Sequence, residues 1–295
     1  MDTVQTLEVP GYEVVQFLGS GARSTIWKVR ESRTGKLYAL KRVVKRKASE
    51  TRFLDQAINE YEVASQLDHP VIRKVHHLRR RKHWLSVREV MLIMELCEGL
   101  TVQSDPPKDI LQVLRIFHEV AVAIQHMNTM GFVHADMKPN NIIVAPDGTV
   151  KIIDLGQSCR IGSTKQRIQG TPDFIAPEQV LRRPLDPRTD VFNLGASLYW
   201  TLTGEPMPTV LPKKGGTVTL VGEPEVTPPN EINKGVPESL SKLVMHCIRP
   251  KPSARPANME KVVSRLEVIT HSLNRNLHAN GGNLNGNGAD GTQDS

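Results

Sequence analysis

Apolar and polar residues alternate along the first part of the chain, and this pattern predicts β-strands. The period of two is clearest at residues 12–18, 26–30 and 37–43. Thr34-Gly35 between the last two of these segments is typical of a tight turn. The sequence therefore begins with strands that are connected by short turns.

The period then changes, because apolar residues recur three and four positions apart between Leu54 and Leu67. This spacing predicts one helix, which ends before Pro70 because proline cannot continue it. Two further short strands are predicted near residues 71–78 and 89–95. The first third is thus a β-rich unit with a single helix.

The rest of the chain follows the helical period. Helices are predicted at about 110–127, 189–203 and 259–269. The stretch 205–237 is rich in proline, and we expect an ordered loop there with at most short helices. The Gly/Asn-rich end at 276–295 has nothing to bury and is expected to be disordered. Together these patterns predict an α+β fold with a small β-rich part and a larger helical part.

Composition excludes several classes of protein. The chain has 295 residues, of which 39% are hydrophobic and 23% are charged, unlike a fully disordered chain, a collagen-like fibre or a membrane-embedded protein. Its three cysteines lie far apart, which favours a reducing, cytoplasmic compartment over a disulfide framework or a zinc site. No apolar run approaches the roughly 18 residues that span a bilayer, so we expect no membrane insertion.

The net charge of +7 lies entirely in the first 95 residues, which carry 18 Lys and Arg against 11 Asp and Glu. Basic runs at 41–47 and 79–82 are the most concentrated parts of this charge. Such runs bind phosphate backbones in some proteins and are solvated surfaces in many others. No aromatic residues are interleaved with them, so nucleic acid is at most an accessory ligand. An acidic docking partner is the other interpretation.

Leu18-Gly19-Ser20-Gly21 lies between two predicted strands. Glycines at this position let backbone amides approach a phosphate chain closely, although the same pair also marks ordinary tight hairpins. A strand follows, whereas the dinucleotide-binding fingerprint requires a helix. The motif therefore does not predict a Rossmann fold.

Lys41 lies in a predicted strand with apolar neighbours, and a partly buried lysine needs an anionic partner. Glu60 on the following helix is one candidate. A surface position for Glu60 is the alternative that the sequence leaves open.

The densest group of reactive residues surrounds the hairpin that Asp147-Gly148 predicts. A turn centred there pairs residues whose numbers sum to about 295, which places Asn141 opposite Asp154. An amide and a carboxylate oxygen at one end of a hairpin suit a hard cation such as Mg²⁺. Asp136, in the loop before the hairpin, can accept a proton from a bound hydroxyl, and Lys138 can neutralise phosphate charge.

In content and order these motifs resemble the eukaryotic-type serine/threonine protein kinases, over residues 12–272. Ala176-Pro177-Glu178 and Arg255 also match motifs of that family. The resemblance implies a bilobal kinase fold, divided into an N-terminal extension (1–11), an N-lobe for nucleotide binding (12–97), a catalytic C-lobe (98–275) and the tail (276–295).

The resemblance also implies a role for each matching residue in the transfer of the γ-phosphate of ATP to Ser/Thr hydroxyls of proteins. The catalytic residues would be Asp136, Lys138, Lys41, Glu60 and Thr171, and Asn141 and Asp154 would hold Mg²⁺, with Mn²⁺ as the alternative metal. The nucleotide would be bound by Leu18, Gly19, Ser20, Gly21, Ile26, Ala39, Lys41, Met94, Glu95, Cys97 and Ile143.

One departure from the family has a consequence. Ala135 replaces the arginine that in relatives receives a phosphate on the activation segment, the stretch between Asp154-Leu155-Gly156 and Ala176-Pro177-Glu178. We therefore expect a kinase that does not depend on phosphorylation of that segment. Two other functions remain open, a pseudokinase that binds nucleotide as a scaffold and a kinase for small molecules. The complete set of catalytic residues argues against the first, and Glu178 with Arg255 argues against the second.

Overall fold

The computed structural model describes residues 7–21, 23–207 and 225–282. Its N-lobe is a five-stranded antiparallel sheet in the order β1-β2-β3-β5-β4, with one helix packed on it. The elements are β1 (Tyr12–Ser20), β2 (Ser24–Glu31), β3 (Leu37–Val44), α1 (Thr51–Ala64), β4 (Val75–His83) and β5 (Ser86–Met94). The predicted strands and helix of the first third are therefore present, with ends that differ by a few residues.

The C-lobe is mainly helical and contains the largest apolar core of the described residues. Its long helices are α2 (Ile110–Thr129), α4 (Pro187–Thr203), α6 (Glu238–Cys247) and α7 (Met259–Gly282), with short helices α3 (Pro177–Val180) and α5 (Pro229–Ile232). Short strands β6 (Leu100–Thr101), β7 (Phe132–Val133), β8 (Ile142–Val144), β9 (Val150–Ile152) and β10 (Cys159–Arg160) lie between α2 and α3 or just before α2. The chain thus has the two-lobed α+β architecture that the sequence predicts, with a β-rich N-lobe and a helical C-lobe.

Helix α4 runs through the middle of the C-lobe core, and most of its residues are buried. Asp186 caps its first turn by accepting from the backbone N–H of Arg188 at 2.8 Å. Gly204 ends it in the left-handed conformation, with φ of 76°, which glycine adopts without the steric cost of a Cβ. This buried helix supports residues 134–141, the loop that contains Asp136 and Lys138 and that we call the catalytic loop.

The strand predicted at 71–78 begins only at Val75, because the preceding residues pair with the other lobe. Ile72 forms a parallel bridge with Ile152, and the backbone N–H of Arg73 donates to the Ile152 carbonyl at 3.0 Å. Backbone pairing therefore connects the N-lobe directly to β9, just before Asp154.

The expected tail also begins later than predicted. Helix α7 continues to Gly282, and its side chain at Leu273 still packs against the C-lobe core. The apolar stripe of the helix thus extends past the end that we predicted. The rest of the tail and residues 208–224 of the proline-rich stretch lie outside the described residues. In the part of the chain that the structure describes, no helix is both long and apolar enough to cross a bilayer.

Candidate active site

The hairpin of β8 and β9 carries the predicted metal-binding pair, with a register one residue away from the prediction. The backbone N–H of Ile153 donates to the Asn141 carbonyl at 3.0 Å, so Asn141 faces Ile153 and not Asp154. The reason is the turn, which Gly148 closes with φ of 87° and which centres the hairpin on Asp147. Asn141 and Asp154 nevertheless line the same cavity.

The backbone before Asp136 is fixed by Asp190 of α4. The carboxylate of Asp190 accepts from the backbone N–H groups of His134 at 3.0 Å and Ala135 at 2.9 Å, and from Asn128 at 2.9 Å. Burial raises the pKa of Asp190 to about 6, although these donors oppose the rise. Ala135 has φ of 61°, a region that side-chain-bearing residues rarely occupy. The C-lobe core therefore holds the catalytic loop in a strained conformation.

Asp136, Lys138 and Thr171 form one hydrogen-bonded group. Lys138 Nζ donates to Asp136 Oδ2 at 3.0 Å and to Thr171 Oγ1 at 2.7 Å. The backbone N–H of Thr171 donates to Asp136 Oδ1 at 3.1 Å. Burial raises the pKa of Asp136, and the adjacent ammonium of Lys138 opposes that rise. The carboxylate is thus held in one orientation beside a cation.

Across the cavity, Lys41 of β3 lies between two carboxylates. Its Nζ is 2.6 Å from Glu60 Oε2 and 3.8 Å from Asp154 Oδ1. Burial on its own lowers the pKa of Lys41, but Asp154 and Glu60 outweigh this effect and raise the pKa above its ordinary value. The structure thus brings together the lysine and glutamate that the sequence left as a candidate pair.

Asp154 is held in its ionised form. Burial favours a higher pKa for this carboxyl, but Lys41 and the backbone N–H of Gly156, which donates at 2.9 Å, bring the pKa below its usual range. An ionised carboxylate in one cavity with the amide of Asn141 is a donor set of hard oxygens. These residues fit a divalent cation.

Arg73 is a buried cation that sequence reasoning did not select. Its Nη2 donates to Glu60 Oε1 at 3.0 Å and also to the backbone carbonyl of Ile153. Glu60 therefore binds two cations, Lys41 on one oxygen and Arg73 on the other. The only signal in the sequence is a charge placed directly after the apolar pair Val71-Ile72.

A second contact that the sequence did not reveal comes from Asn59, the neighbour of Glu60 on α1. Its side-chain N–H₂ lies at 2.9 Å from the Ser158 carbonyl and at 3.3 Å from that of Gly156. Helix α1 is thus bonded to the segment that contains Asp154 directly through Asn59, and indirectly through Glu60 and Arg73.

One cavity of about 490 Å³ joins these groups at the junction of the lobes. Of the residues selected from the sequence it is lined by Gly21, Lys41, Asp136, Lys138, Asn141 and Asp154. Arg23 and Arg52, which the sequence did not single out, line it as well, together with Arg167.

The remaining predicted nucleotide residues lie outside the lining of this cavity, on neighbouring strands and the connection between the lobes. Ala39 of β3 pairs across the sheet with Met94 of β5, and both are buried. Leu18 is exposed on β1. The others are Gly19 and Ser20 on β1, Ile26 on β2, Glu95 and Cys97 after β5, and Ile143 on β8.

Besides the pair of Glu60 with Arg73, a buried ion pair between Glu178 and Arg255 lies near the site. Arg255 Nη1 lies 2.7 Å from Glu178 Oε1, and Nη2 lies 2.9 Å from Oε2. The pair joins α3, which follows Thr171 along the chain, to the loop before α7. It holds the end of the activation segment against the C-lobe.

Comparison with known proteins agrees with this geometry. The protein kinase domain family model matches residues 12–266. Mouse sperm motility kinase 2A is 35% identical over 201 residues, which are 66% of this chain and 38% of that protein. Serine/threonine-protein kinase PknA of Mycobacterium tuberculosis is 26% identical over 253 residues, 83% of this chain and 58% of that protein. An Aurora kinase of Candida glabrata is 29% identical over 242 residues, covering 81% of this chain and 67% of that one.

The lobes, the cleft and the family match define a protein kinase, and the chain belongs to the protein kinase domain family. It spans 38% and 58% of the length of the first two of these relatives.

Proposed function

We propose that this chain transfers the γ-phosphate of ATP to serine and threonine hydroxyls of protein substrates. The observation that carries the proposal is one cavity that is lined by Asp136, Lys138, Lys41 and Asp154. Thr171 bonds to Asp136 and Lys138 from outside the lining, and Glu60 bonds to Lys41. Phosphoryl transfer needs positioning and charge neutralisation more than covalent chemistry, and these groups supply both.

Asp136 is the residue that we assign to the acceptor. Its carboxylate orients the substrate hydroxyl and accepts its proton as the bond to phosphorus forms. Lys138 balances the charge on the transferred phosphoryl group, and Thr171 holds both side chains in place. The contact between Lys138 and Thr171 supports serine and threonine as acceptors.

The opposite side of the cavity receives the nucleotide. Lys41, oriented by Glu60, contacts the phosphates, and the amides near Gly21 cover them. Asp154 and Asn141 hold Mg²⁺, or alternatively Mn²⁺, which when bound neutralises phosphate charge. The predicted residues on β1, β2, β3, β5 and β8 and on the connection after β5 surround the adenine.

We further propose that the cleft is assembled without a phosphate on the activation segment. Ala135 offers no side chain that could bind such a phosphate. The contacts of Arg73 and Asn59 support the proposal, because they join α1 to the segment around Asp154 through groups that are always present. In this arrangement Arg73 is a positioning residue.

An acidic docking partner and a cytoplasmic compartment stay predictions. The basic run at 79–82 lies on the exposed end of β4, where an acidic partner has access to it.

The test is a γ-phosphate transfer assay on a generic Ser/Thr substrate with Mg²⁺. Asp136→Asn should lower kcat by about 10²- to 10⁴-fold, the usual contribution of a general base. Asp147→Asn, an exposed turn residue, is the matched control and should retain full activity. Equal transfer by wild type and Asp136→Asn contradicts the proposal and favours a contaminating kinase or a scaffold.

A further inference from the structure

Three arginines from three separate parts of the chain line the catalytic cavity. Arg23 lies between β1 and β2, Arg52 is in the first turn of α1, and Arg167 is in the activation segment, before Thr171. All three line the same cavity of about 490 Å³ as Asp136. We call these residues the arginine rim.

The positive charge of the arginine rim exceeds the negative charge of the carboxylates that line the cavity. The carboxylates in the lining are Asp136 and Asp154, and each already has a lysine within 4 Å. Under the proposed function those lysines also neutralise the phosphates of the nucleotide. The positive charge of the arginine rim is therefore available to bind another ligand.

Two members of the rim have no carboxylate partner among the residues that the structure describes. Arg23 forms an ion pair with Glu50 at 3.1 Å, but Arg52 contacts only the ring of Phe53, 4.6 Å from its centroid. Arg167 likewise has no ion pair in the described part of the chain, although its Nε and Nη2 lie 3.0 Å from the side-chain amide of Gln169, whose oxygen accepts from both. Neither guanidinium group is therefore neutralised by a carboxylate of the described residues.

The positive surface continues beyond the cavity. An adjoining cavity of about 530 Å³, between α1 and the activation segment, is lined by Arg52 and Arg167 together with Lys165. Its carboxylate is Asp55. A chain that leaves the acceptor position in this direction therefore passes three cations and one anion.

We propose that this surface selects protein substrates in which acidic residues flank the acceptor serine or threonine. The inference deepens the proposed function and rests on it for the position of the acceptor at Asp136. Guanidinium groups bind carboxylates and phosphates through paired, charge-assisted hydrogen bonds, so Asp, Glu and phosphorylated residues are the matching chemistry. The same charge repels substrates with flanking Lys or Arg.

The first test is a binding measurement that needs no phosphoryl transfer. Protein treated with phosphatase, so that a phosphate on Thr164 does not occupy the rim, is titrated into fluorescent peptides with alanine at the acceptor position. The peptides carry Glu, Gln or Lys at the flanking positions. We expect the Glu peptide to bind at least about tenfold tighter than the Gln peptide, and the difference to shrink in high salt.

The second test uses the charge-reversed double variant Arg52→Glu/Arg167→Glu. Its preference should invert, so that the Lys peptide binds tighter than the Glu peptide. Arg275→Glu/Lys242→Glu, at two exposed positions on α7 and α6, changes the net charge equally and should keep the preference of the wild type.

Three outcomes overturn the inference. The first is equal binding of the three peptides by the wild type, and the second is a control variant that loses the preference for the Glu peptide as the rim variant does. The third is a rim variant with a raised KM for ATP and an unchanged peptide preference, which would assign the arginines to the nucleotide. Selective binding without any phosphate transfer to matching Ser peptides would support the rim and contradict the proposed function, so the two failures are distinguishable.

Discussion

Glu178 and Glu60 are both buried and both bind an arginine, but the completeness of their hydrogen bonding differs. In the C-lobe, Glu178 receives both terminal nitrogens of Arg255 at 2.7 and 2.9 Å and the hydroxyl of Thr189 at 2.9 Å. The remaining donors of Arg255 reach three backbone carbonyls. This pair is fully satisfied and its arginine side chain has no exposed surface.

At the junction of the lobes, Glu60 is as deeply buried, but its partners are less completely bonded. Arg73 donates through Nη2, whereas its buried Nε has no partner within the described residues. The second partner, Lys41, keeps 15% of its side chain exposed to the cleft. The carboxylate is shared between a positioning arginine and a lysine that also faces the nucleotide site.

This difference in hydrogen bonding indicates that the Glu178 pair stabilises the fold, whereas the Glu60 group serves the active site. A satisfied, dry ion pair resists change because removing one partner leaves a buried charge with no compensation. A carboxylate with two cations keeps one of them when the other is removed or engaged by a ligand. We therefore expect mutations at the first pair to unfold the protein and mutations at the second to disable it.

The largest effect is expected from Arg255→Met. Glu178 would then be buried without its counter-ion, and the free energy of unfolding should fall by about 3–5 kcal/mol. Urea denaturation followed by circular dichroism measures the change.

The control is the double variant Arg255→Met/Glu178→Leu, which removes both charges and should recover most of the lost stability. A single variant that unfolds like the wild type would show that the pair contributes no net stability.

Lys41→Met should have the opposite effect, with a small change in stability and a large loss of activity. Because Arg73 still neutralises Glu60, we expect the free energy of unfolding to change by no more than about 1 kcal/mol, while kcat falls by about 10²- to 10³-fold for loss of an electrostatic contact to the phosphates. Parallel denaturation and steady-state kinetics measure the two effects.

The matched control is Lys242→Met, which breaks an exposed pair with Glu238 at 2.6 Å and should change neither quantity measurably. If Lys41→Met loses as much stability as Arg255→Met, the ion pairs of Glu60 and Glu178 have the same structural role and the contrast between them is wrong.

This contrast also marks what the sequence alone could predict. Local periods located the strands and helices, and the spacing between Asp136 and Asn141 pointed to the cleft. The contact of Arg73 with Ile153 joins residues 80 positions apart, and no local pattern reports such a contact. The hairpin register was missed for a related reason, because the conformation of Gly148 decided it.

The sequence alone could not predict the arginine rim either, because its residues are far apart in the chain. Arg23, Arg52 and Arg167 are each unremarkable surface cations in their own segments. Their convergence depends on how α1 and the activation segment pack against the cleft, which is a property of the tertiary structure.

Arg73→Met tests the positioning role directly and should have an intermediate effect. Glu60 keeps Lys41, so the protein folds, but the link from Glu60 of α1 through Arg73 to the Ile153 carbonyl is lost, and we expect kcat/KM to fall about tenfold. The loss should appear mainly in KM for ATP, because the orientation of Lys41 is disturbed, and Arg73→Lys should restore part of it. A loss confined to thermal stability would reduce Arg73 to a structural residue.

The smallest effect is expected on the activation segment. Ser158 is buried and its hydroxyl donates to the His134 carbonyl at 3.3 Å, so the phosphate acceptors to remove are the more accessible Ser163 and Thr164. Ser163→Ala/Thr164→Ala should keep kcat/KM within about twofold of wild type, because α1 is held by neutral and cationic groups that need no phosphate. A loss above about tenfold would mean that a phosphate assembles the cleft. The guanidinium groups of Arg52 and Arg167, which have no carboxylate partner among the described residues, would then be its ligands, and their preference for acidic peptides should vanish once the segment is phosphorylated.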